Sequence, residues 1–436
     1  MHLMSFNRMS GQIRDKNYNH KAISAALDIG TDKVVCIIAK NRNFYESEKN
    51  STIEIIGIGH NQSNGVKTGN IVDLNAAEDS IRIAIEAAEG MAGVTIDELI
   101  VNVSSNNIES AVYEVGVPIH NSQVNNNDIQ RALHASYSQE LDDDKSKIHT
   151  IPLGFSIDGI QGILDPIGMY GQRLNINMHI ITTDTGPLRN LNLVVERAHA
   201  KISKMVVSPL ASAVATLSLD EANLGTICID MGAGCTSFCL FIDGMLKYAD
   251  AIPIGGHDVT LDIAKQLSTP IIDAEKLKVL YGGVLSHVYE TGDLINIPLV
   301  GDGEKQNLIQ KVPKPIVADI VRPRVIEIFE LIKERLDNIS KSLCKDNRII
   351  LTGGMSQLTG VDELATQVFG GPVRRAVPRN FNNDININSP IFSTAVGLLI
   401  FAQNDNIVIK KSPKVKKIFK SGGYLSDISK WLRDSF

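Results

Sequence analysis

Three short stretches carry residue types that handle phosphate and metal when they lie close together. They are Asp28-Ile29-Gly30-Thr31-Asp32-Lys33, Asp230-Met231-Gly232-Ala233-Gly234-Cys235-Thr236, and Gly353-Gly354-Met355, each following an apolar β-rich run. A turn built on glycine lets backbone N–H groups approach phosphate oxygens with no Cβ in the way. Aligning Asp28 with Asp230 sets Gly30 against Gly232 at a spacing of 202 residues. Facing each other across a cleft, the two aspartates suit magnesium, which keeps its waters and takes one or two carboxylates plus phosphate oxygens. Asp28 and Asp230 are therefore the candidate metal ligands for Mg-ATP. Thr31 adds a hydroxyl donor, and Lys33 brings positive charge to the phosphates. Taken singly, each motif is also an ordinary hairpin turn that uses Asp and Gly for its geometry.

The elements that must position these turns follow from periodicity. The runs AISAALDIGTDKVVCIIAK and STIEIIGIGHN read as successive antiparallel strands. Residues 73–92 place Leu74, Ala77, Ile81, Ile85 and Ala88 at helical spacing. A less regular stretch from Glu98 to about His179 looks like an inserted α+β unit. It holds the strand ELIVNVSS, a polar helix near 128–138, and strands near 148–157 and 175–181. Beyond Pro187 a helix reaches His199, and PLASAVATLSL at 209–219 forms another. TICIDMGAGCTSFCLFIDG then repeats the opening strand–glycine turn–strand, as an internal duplication would. A long amphipathic helix is expected from Val325 to Leu343, and SPIFSTAVGLLIFA is an apolar helix with small residues in mid-course.

Composition narrows the function. The chain has 436 residues and 43% hydrophobic content, enough for two to four units with real cores. The 43 basic and 49 acidic residues leave a net −6, which argues against nucleic acid as a partner. Five cysteines with apolar neighbours and no CxxC spacing read as buried, reduced thiols. The polar N-terminus lacks an apolar signal region, and no run approaches 18 apolar residues. A reducing, cytoplasmic compartment is expected.

The basic charge is concentrated near the end. Residues 407–426 hold six lysines and no acid, so the remainder has 37 basic against 49 acidic residues, a net −12. Then, in the last 13 residues, Tyr424, Leu425, Ile428, Trp431, Leu432 and Phe436 fall on one helical face, with Lys430 and Arg433 among the polar residues opposite. The sole Trp sits here, and Trp favours membrane interfaces. This set is the candidate membrane contact, a short amphipathic helix whose lysine-rich approach is drawn to anionic lipids. Reversible attachment is expected, strengthened when many copies are joined.

In order, DIGTDKV, PLASAVA, DMGAGCTSF, LTGGMSQLTG and STAVGLL resemble five elements of the actin, heat-shock chaperone and sugar-kinase superfamily. These are the first phosphate loop, first connecting helix, second phosphate loop, adenosine loop and second connecting helix. The resemblance implies an α/β, actin-like (ribonuclease H-like) two-lobed ATPase fold with an inserted small α+β subdomain and a C-terminal amphipathic helix. It puts Gly353, Gly354 and Met355 against adenosine, and Glu275 and Lys278 of DAEKLKV at the ribose and base edge. Gly232, Ala233, Gly234 and Thr236 would serve the phosphates, and Ala211, Ala213, Ala395 and Gly397 would let the connecting helices cross closely. Two departures stand out. Cys235 and Ser237 occupy places where members commonly carry Thr and an acid. VVSPLAS offers only Ser208 where relatives place an acid or Gln to orient the attacking water. ATP binding with slow or absent hydrolysis is the expectation, since a serine makes no general base near neutral pH.

Together with STIEIIGIGHNQSNGVKTGNIVDL, PIGGHDVTLDIA and the ending KWLRDSF, the pattern is similar to the FtsA family of bacterial cell-division proteins. That resemblance implies a flexible extension at 1–21 and a first core of 22–96 with 181–212 and 391–402. An insert follows at 97–180, which in the family takes over contacts between protomers. A second core spans 213–255 with 326–390, and an outer unit 256–325. The end comprises a basic linker at 403–421 and a membrane-targeting helix at 422–436. It further implies self-polymerisation, binding of the FtsZ C-terminal peptide, recruitment of later division proteins, and a peripheral location on the inner face of the cytoplasmic membrane. Lys311, Lys314, Arg322 and Arg324 are the cations an acidic peptide would meet on the outer unit. A pilus-assembly adaptor or a small-molecule kinase of the same superfamily would share the cleft. The first lacks a reason for the tail, and the second lacks a placed catalytic Asp.

Overall fold

The structure, a computed structural model, describes residues 23–41, 53–138, 142–286, 292–300, 309–339, 347–379, 385 and 387–403. The extension expected at 1–21, the linker after 403 and the tail helix at 422–436 lie outside the described residues.

The chain opens with the antiparallel hairpin β1 (Ile23–Ile29) and β2 (Lys33–Asn41), and β2 pairs in turn with β3 (Ile53–Gln62). Residues 25–29 and 34–39 are buried on both faces, which is why these runs are continuously apolar rather than alternating. A small hairpin, β4 (Val66–Lys67) and β5 (Asn70–Ile71), leads into α1 (Leu74–Ala92). The Asp73 carboxylate caps α1 by accepting from the Asn75 and Ala76 amides, and Gly93 closes it in the left-handed region. Its apolar stripe packs on β3, where Gly59 lets the backbones approach: a Cβ there would lie 2.0 Å from the Ala84 carbonyl oxygen.

β6 (Glu98–Val103) runs parallel beside β1. The insert then follows as β7 (Glu109–Pro118), α2 (Asn126–Tyr137), β8 (Lys145–Ile157), β9 (Ile160–Ile163) and β10 (Arg173–Asp184), in sheet order β7-β10-β8-β9. Its own core gathers Val117, Leu133, Leu174, Ile176 and Met178. The expected boundary at 97 shifts: the sheet changes after Val103, because β6 is buried between β1 and a returning strand, and β10 runs past 180 to Asp184. The chain returns through α3 (Thr185–Arg197) to β11 (Lys201–Val207), completing a first sheet of order β11-β6-β1-β2-β3.

The helix expected at 209–219 is two helices, α4 (Ser208–Thr216) and α5 (Leu219–Leu224), because Ser218 and Glu221 form a capping box that starts a new one. Next come β12 (Thr226–Met231), β13 (Thr236–Ile242), β14 (Met245–Ile252), α6 (Gly256–Leu267), α7 (Ile271–Tyr281), β15 (Leu294–Pro298) and β16 (Ile309–Pro313). The chain continues with α8 (Lys314–Ile339), β17 (Arg348–Thr352), α9 (Val361–Phe369), β18 (Val373–Arg375) and α10 (Ser393–Gln403). The second sheet has the order β14-β13-β12-β17-β18. Read from the parallel edge, both sheets place two parallel strands, then the hairpin pair, then a third antiparallel strand. The duplication expected from one Asp-x-Gly repeat is thus built into two whole sheets.

α8 begins eleven residues before the expected start, with Pro323 inside it. A proline there costs about 3 kcal/mol, yet Val317, Ala318, Ile320 and Val321 before it and Val325, Ile328 and Phe329 after it are all buried. Packing on both sides outweighs the lost hydrogen bond. α4 and α10 cross as closely as their small residues allow, since a Cβ at Gly397 would lie 1.8 Å from the Ala211 carbonyl oxygen.

Candidate functional site

The two hairpin turns are equivalent residue by residue. In the first, Asp28 pairs with Val35 and the Gly30 amide donates to the Lys33 carbonyl at 2.9 Å. In the second, Asp230 pairs with Ser237 and the Gly232 amide donates to the Cys235 carbonyl at 3.1 Å. The tips meet: a Cβ at Gly234 would stand 2.3 Å from Thr31 Oγ1. Between them lies a cavity of about 250 Å³ whose walls include Asp28, Gly30, Thr31, Lys33, Asp230, Gly232, Ala233, Gly234, Gly353 and Gly354. Gly353 is required twice over, by φ +83° and because a Cβ would fall 2.3 Å from Asp230 Oδ1.

Its electrostatics follow from burying two acids with one amine. Burial raises the Asp28 carboxyl from 3.8 to about 7; Lys33 opposes this and the Asp230 charge adds to it. Burial also raises Asp230, against hydrogen bonds from Ser212 and Thr394 and the charge of Lys33. The Lys33 amine is lowered by burial although Asp28, Asp230 and Asp32 all favour its charge. It donates to the Ile391 carbonyl and lies 5.4 Å from the Phe392 ring centre. A deep site with two carboxylates and a single amine suits a divalent cation that takes its other ligands from phosphate and water. Among the described residues no cluster of three or more His, Cys, Asp or Glu could hold a metal by itself.

A second cavity of about 280 Å³ shares Asp32, Gly232, Ala233 and Gly354 with the first and continues to Glu275, Lys278 and Met355. The Lys278 ammonium donates to the Gly256 carbonyl at 3.0 Å, Thr260 Oγ1 at 2.9 Å and Glu275 Oε2 at 2.7 Å, which uses all three of its protons. Burial would raise Glu275, but the hydrogen bonds from Lys278 and Thr260 outweigh it and hold the carboxyl low. Lys278 thus builds the wall and orients Glu275.

One expected phosphate residue turns away. Thr236 is fully buried and its hydroxyl donates to the Ile254 carbonyl at 2.9 Å, while its neighbours Cys235 and Ser237 line the cleft. Strand pleating sends successive side chains to opposite faces. Cys235 remains a thiol, pushed up to about 12 by burial and the Asp230 and Asp28 charges. Ser208, at the start of α4, is buried and bonded to Ser104 Oγ at 2.7 Å and Asn102 Nδ2 at 3.2 Å. Missed from sequence were Asp32, which touches both cavities, His257 on the second, and Ser212 and Thr394 behind Asp230. Asp32, His257, Thr260, Ser212 and Thr394 all stand inside runs already quoted, but no spacing marks them as site residues.

The four expected peptide-binding cations do not form one unpaired cluster. Lys314 pairs with Asp293 at 2.6 Å, Arg322 donates to the Val284 carbonyl at 3.2 Å, and Arg324 holds Asp262 at 2.8 Å and Glu327 at 2.6 Å. Arg322 and Arg324, two residues apart on a helix, point to opposite sides. Lys311 lies exposed on β16. A wider, open depression of about 670 Å³ lies between α8 and α9 and includes Arg322, Glu330 and Lys333, but none of the glycine turns. The membrane residues Tyr424, Leu425, Ile428, Lys430, Trp431, Leu432, Arg433 and Phe436 fall outside the described residues. No described helix is long and apolar enough to cross a membrane.

The family profile for "Cell division protein FtsA" matches residues 227–397, and that for the "SHS2 domain inserted in FTSA" matches 105–182. Cell division protein FtsA of Rhizobium meliloti (strain 1021) is 40% identical over 420 residues, covering 95% of each chain. The chain belongs to the FtsA family. The Pseudomonas aeruginosa FtsA is 32% identical over 421 residues, 94% of this chain and 97% of its own. Among solved structures, the PilM–PilN type IV pilus biogenesis complex aligns with a TM-score of 0.59 at 15% identity, over 87% of this chain and 98% of that one. MreB5 of Spiroplasma citri bound to ADP aligns at 0.52 and 14% identity, over 92% and 100%. The fold is therefore actin-like and carries the FtsA-type insert, which β7 to β10 form.

Proposed function

We propose that this FtsA-family chain is an ATP-binding, polymerising adaptor that tethers FtsZ filaments to the inner face of the cytoplasmic membrane at the division site. What carries the reading is the pair of facing glycine turns with Asp28, Lys33 and Asp230 between them. Gly30, Thr31, Lys33, Gly232, Ala233 and Gly234 would hold the phosphates, and Glu275, Lys278, Gly353, Gly354 and Met355 the nucleoside. Asp28 and Asp230 would hold Mg²⁺, which neutralises the phosphate charge. Hydrolysis is slow or absent on this reading. Ser208 is tied up in hydrogen bonds, and no carboxylate or carboxamide stands in its place to orient water.

The remaining parts serve assembly. The insert, expected at 97–180, would contact neighbouring protomers, the unit 256–325 would take the acidic FtsZ peptide near Lys311, Lys314, Arg322 and Arg324, and later division proteins would follow. Residues 422–436 would lie on anionic lipid, each nearby lysine adding about 1 kcal/mol at low salt.

Co-sedimentation with anionic vesicles in ATP, with and without residues 422–436, tests the tether. Pelleting of the full chain only is expected, and equal pelleting of both would remove the tail from the account. Asp230→Ala tests the cleft by its loss of ATP affinity.

A further inference from the structure

Asp28 and Asp230 hold equivalent places, but their surroundings differ. Ser212, fully buried in α4, donates its hydroxyl to Asp230 Oδ2. Thr394, in the first turn of α10, donates to the same oxygen at 3.0 Å. The two hydroxyl oxygens are themselves 2.9 Å apart. Among the described residues Asp28 has no comparable support: burial and the Asp230 charge raise its carboxyl, and Lys33 opposes them.

The two donors come from different helices at the point where those helices cross. One residue before Ser212, the Ala211 carbonyl faces Gly397, three residues after Thr394, with no room for a Cβ. A turn of α4 against α10 would therefore move Ser212 relative to Thr394, and both bonds to one oxygen survive only over a narrow range of crossing. On its other side, Oδ1 lies against the bare backbone of Gly353. The carboxylate is held on one edge by the helix crossing and bounded on the other by the third glycine turn.

We propose that Ser212 and Thr394 are positioning residues that hold the Asp230 carboxylate in its cation-binding direction and tie that direction to the crossing of α4 and α10. This rests on the nucleotide-cleft reading above. Groups that orient a metal-binding carboxylate from behind typically change metal affinity about 10- to 100-fold when removed. They leave contacts to a metal-free ligand largely intact.

The test is ATP binding to the full chain by calorimetry, once with Mg²⁺ and once with a chelator. Thr394→Val keeps the side-chain shape without the hydroxyl, Ser212→Ala removes the other donor, and Thr394→Ser keeps one. We expect Thr394→Val and Ser212→Ala each to weaken Mg-ATP by about 10-fold, with metal-free ATP shifted less than about threefold and Thr394→Ser close to the parent. Equal losses with and without Mg²⁺, a Thr394→Ser as weak as Thr394→Val, or no change in any variant would overturn the proposal. Thermal unfolding without nucleotide identifies a variant that fails to fold, in which case Ser212→Ala decides. A parent that binds no ATP would instead defeat the cleft reading itself.

Discussion

The first hairpin turn carries Thr31, Asp32 and Lys33, whereas the second offers Ala233, Gly234 and Cys235 at the same three places. Their backbones match, down to the Gly30–Lys33 and Gly232–Cys235 hydrogen bonds. One turn therefore supplies charge and the other bare backbone. Two charged turns packed tip to tip would repel across a desolvated gap, and two bare ones would leave Asp28 and Asp230 without a cation. The division of labour also explains the close contact of Gly234 with Thr31, which only a residue without a side chain permits.

The comparison is tested most strongly through Asp28. Its folded pKa of about 7 lies above the ordinary 3.8, so as pH rises the unfolded chain releases this proton first. The contribution to stability is full below about pH 4 and is lost as pH rises through about 7, by at most roughly 4 kcal/mol. Asp28→Asn should therefore stabilise the nucleotide-free protein more at pH 8 than at pH 5. Urea unfolding at the two pH values checks this, and an equal effect at both would mean that Asp28 is not desolvated.

Lys33→Met comes next. Removing the only cation among the three turn residues should weaken ATP by roughly 100-fold, the scale of a charge-assisted hydrogen bond. A loss below fivefold would mean that the second turn's backbone does most of the binding. Gly234→Val should cost about 1–3 kcal/mol by overpacking against Thr31, seen as a lower urea midpoint. An unchanged midpoint would show that the tips part easily. The smallest effect is expected at Cys235, the counterpart of Lys33: Cys235→Ser should change ATP affinity less than about threefold, since a neutral thiol offers only a weak hydrogen bond.

Much of the site was legible in advance because glycine and aspartate at turns leave a local signature. Asp28, Gly30, Asp230, Gly232, Gly234, Gly353 and Gly354 all line one hollow. Gly397 and Ala211, picked for their size, meet at the helix crossing. Thr236 was misplaced because a single residue of register decides which face of a strand it takes. The start of α8 was misplaced for another reason: residues buried on both sides of Pro323 let the helix run through it.

By itself, the amino-acid order determined the apolar runs, the glycine turns, the 202-residue repeat and the family, since each is written in short runs of consecutive residues that can be recognised wherever they recur. Tertiary structure alone decided that β6 belongs to the first sheet, that Lys278 spends its protons on Gly256, Thr260 and Glu275, and that Ser212 and Thr394 converge on Asp230. Ser212 and Thr394 are 182 residues apart. The 202-residue repeat does not relate these two positions, and only the crossing of two helices brings such hydroxyls to one oxygen.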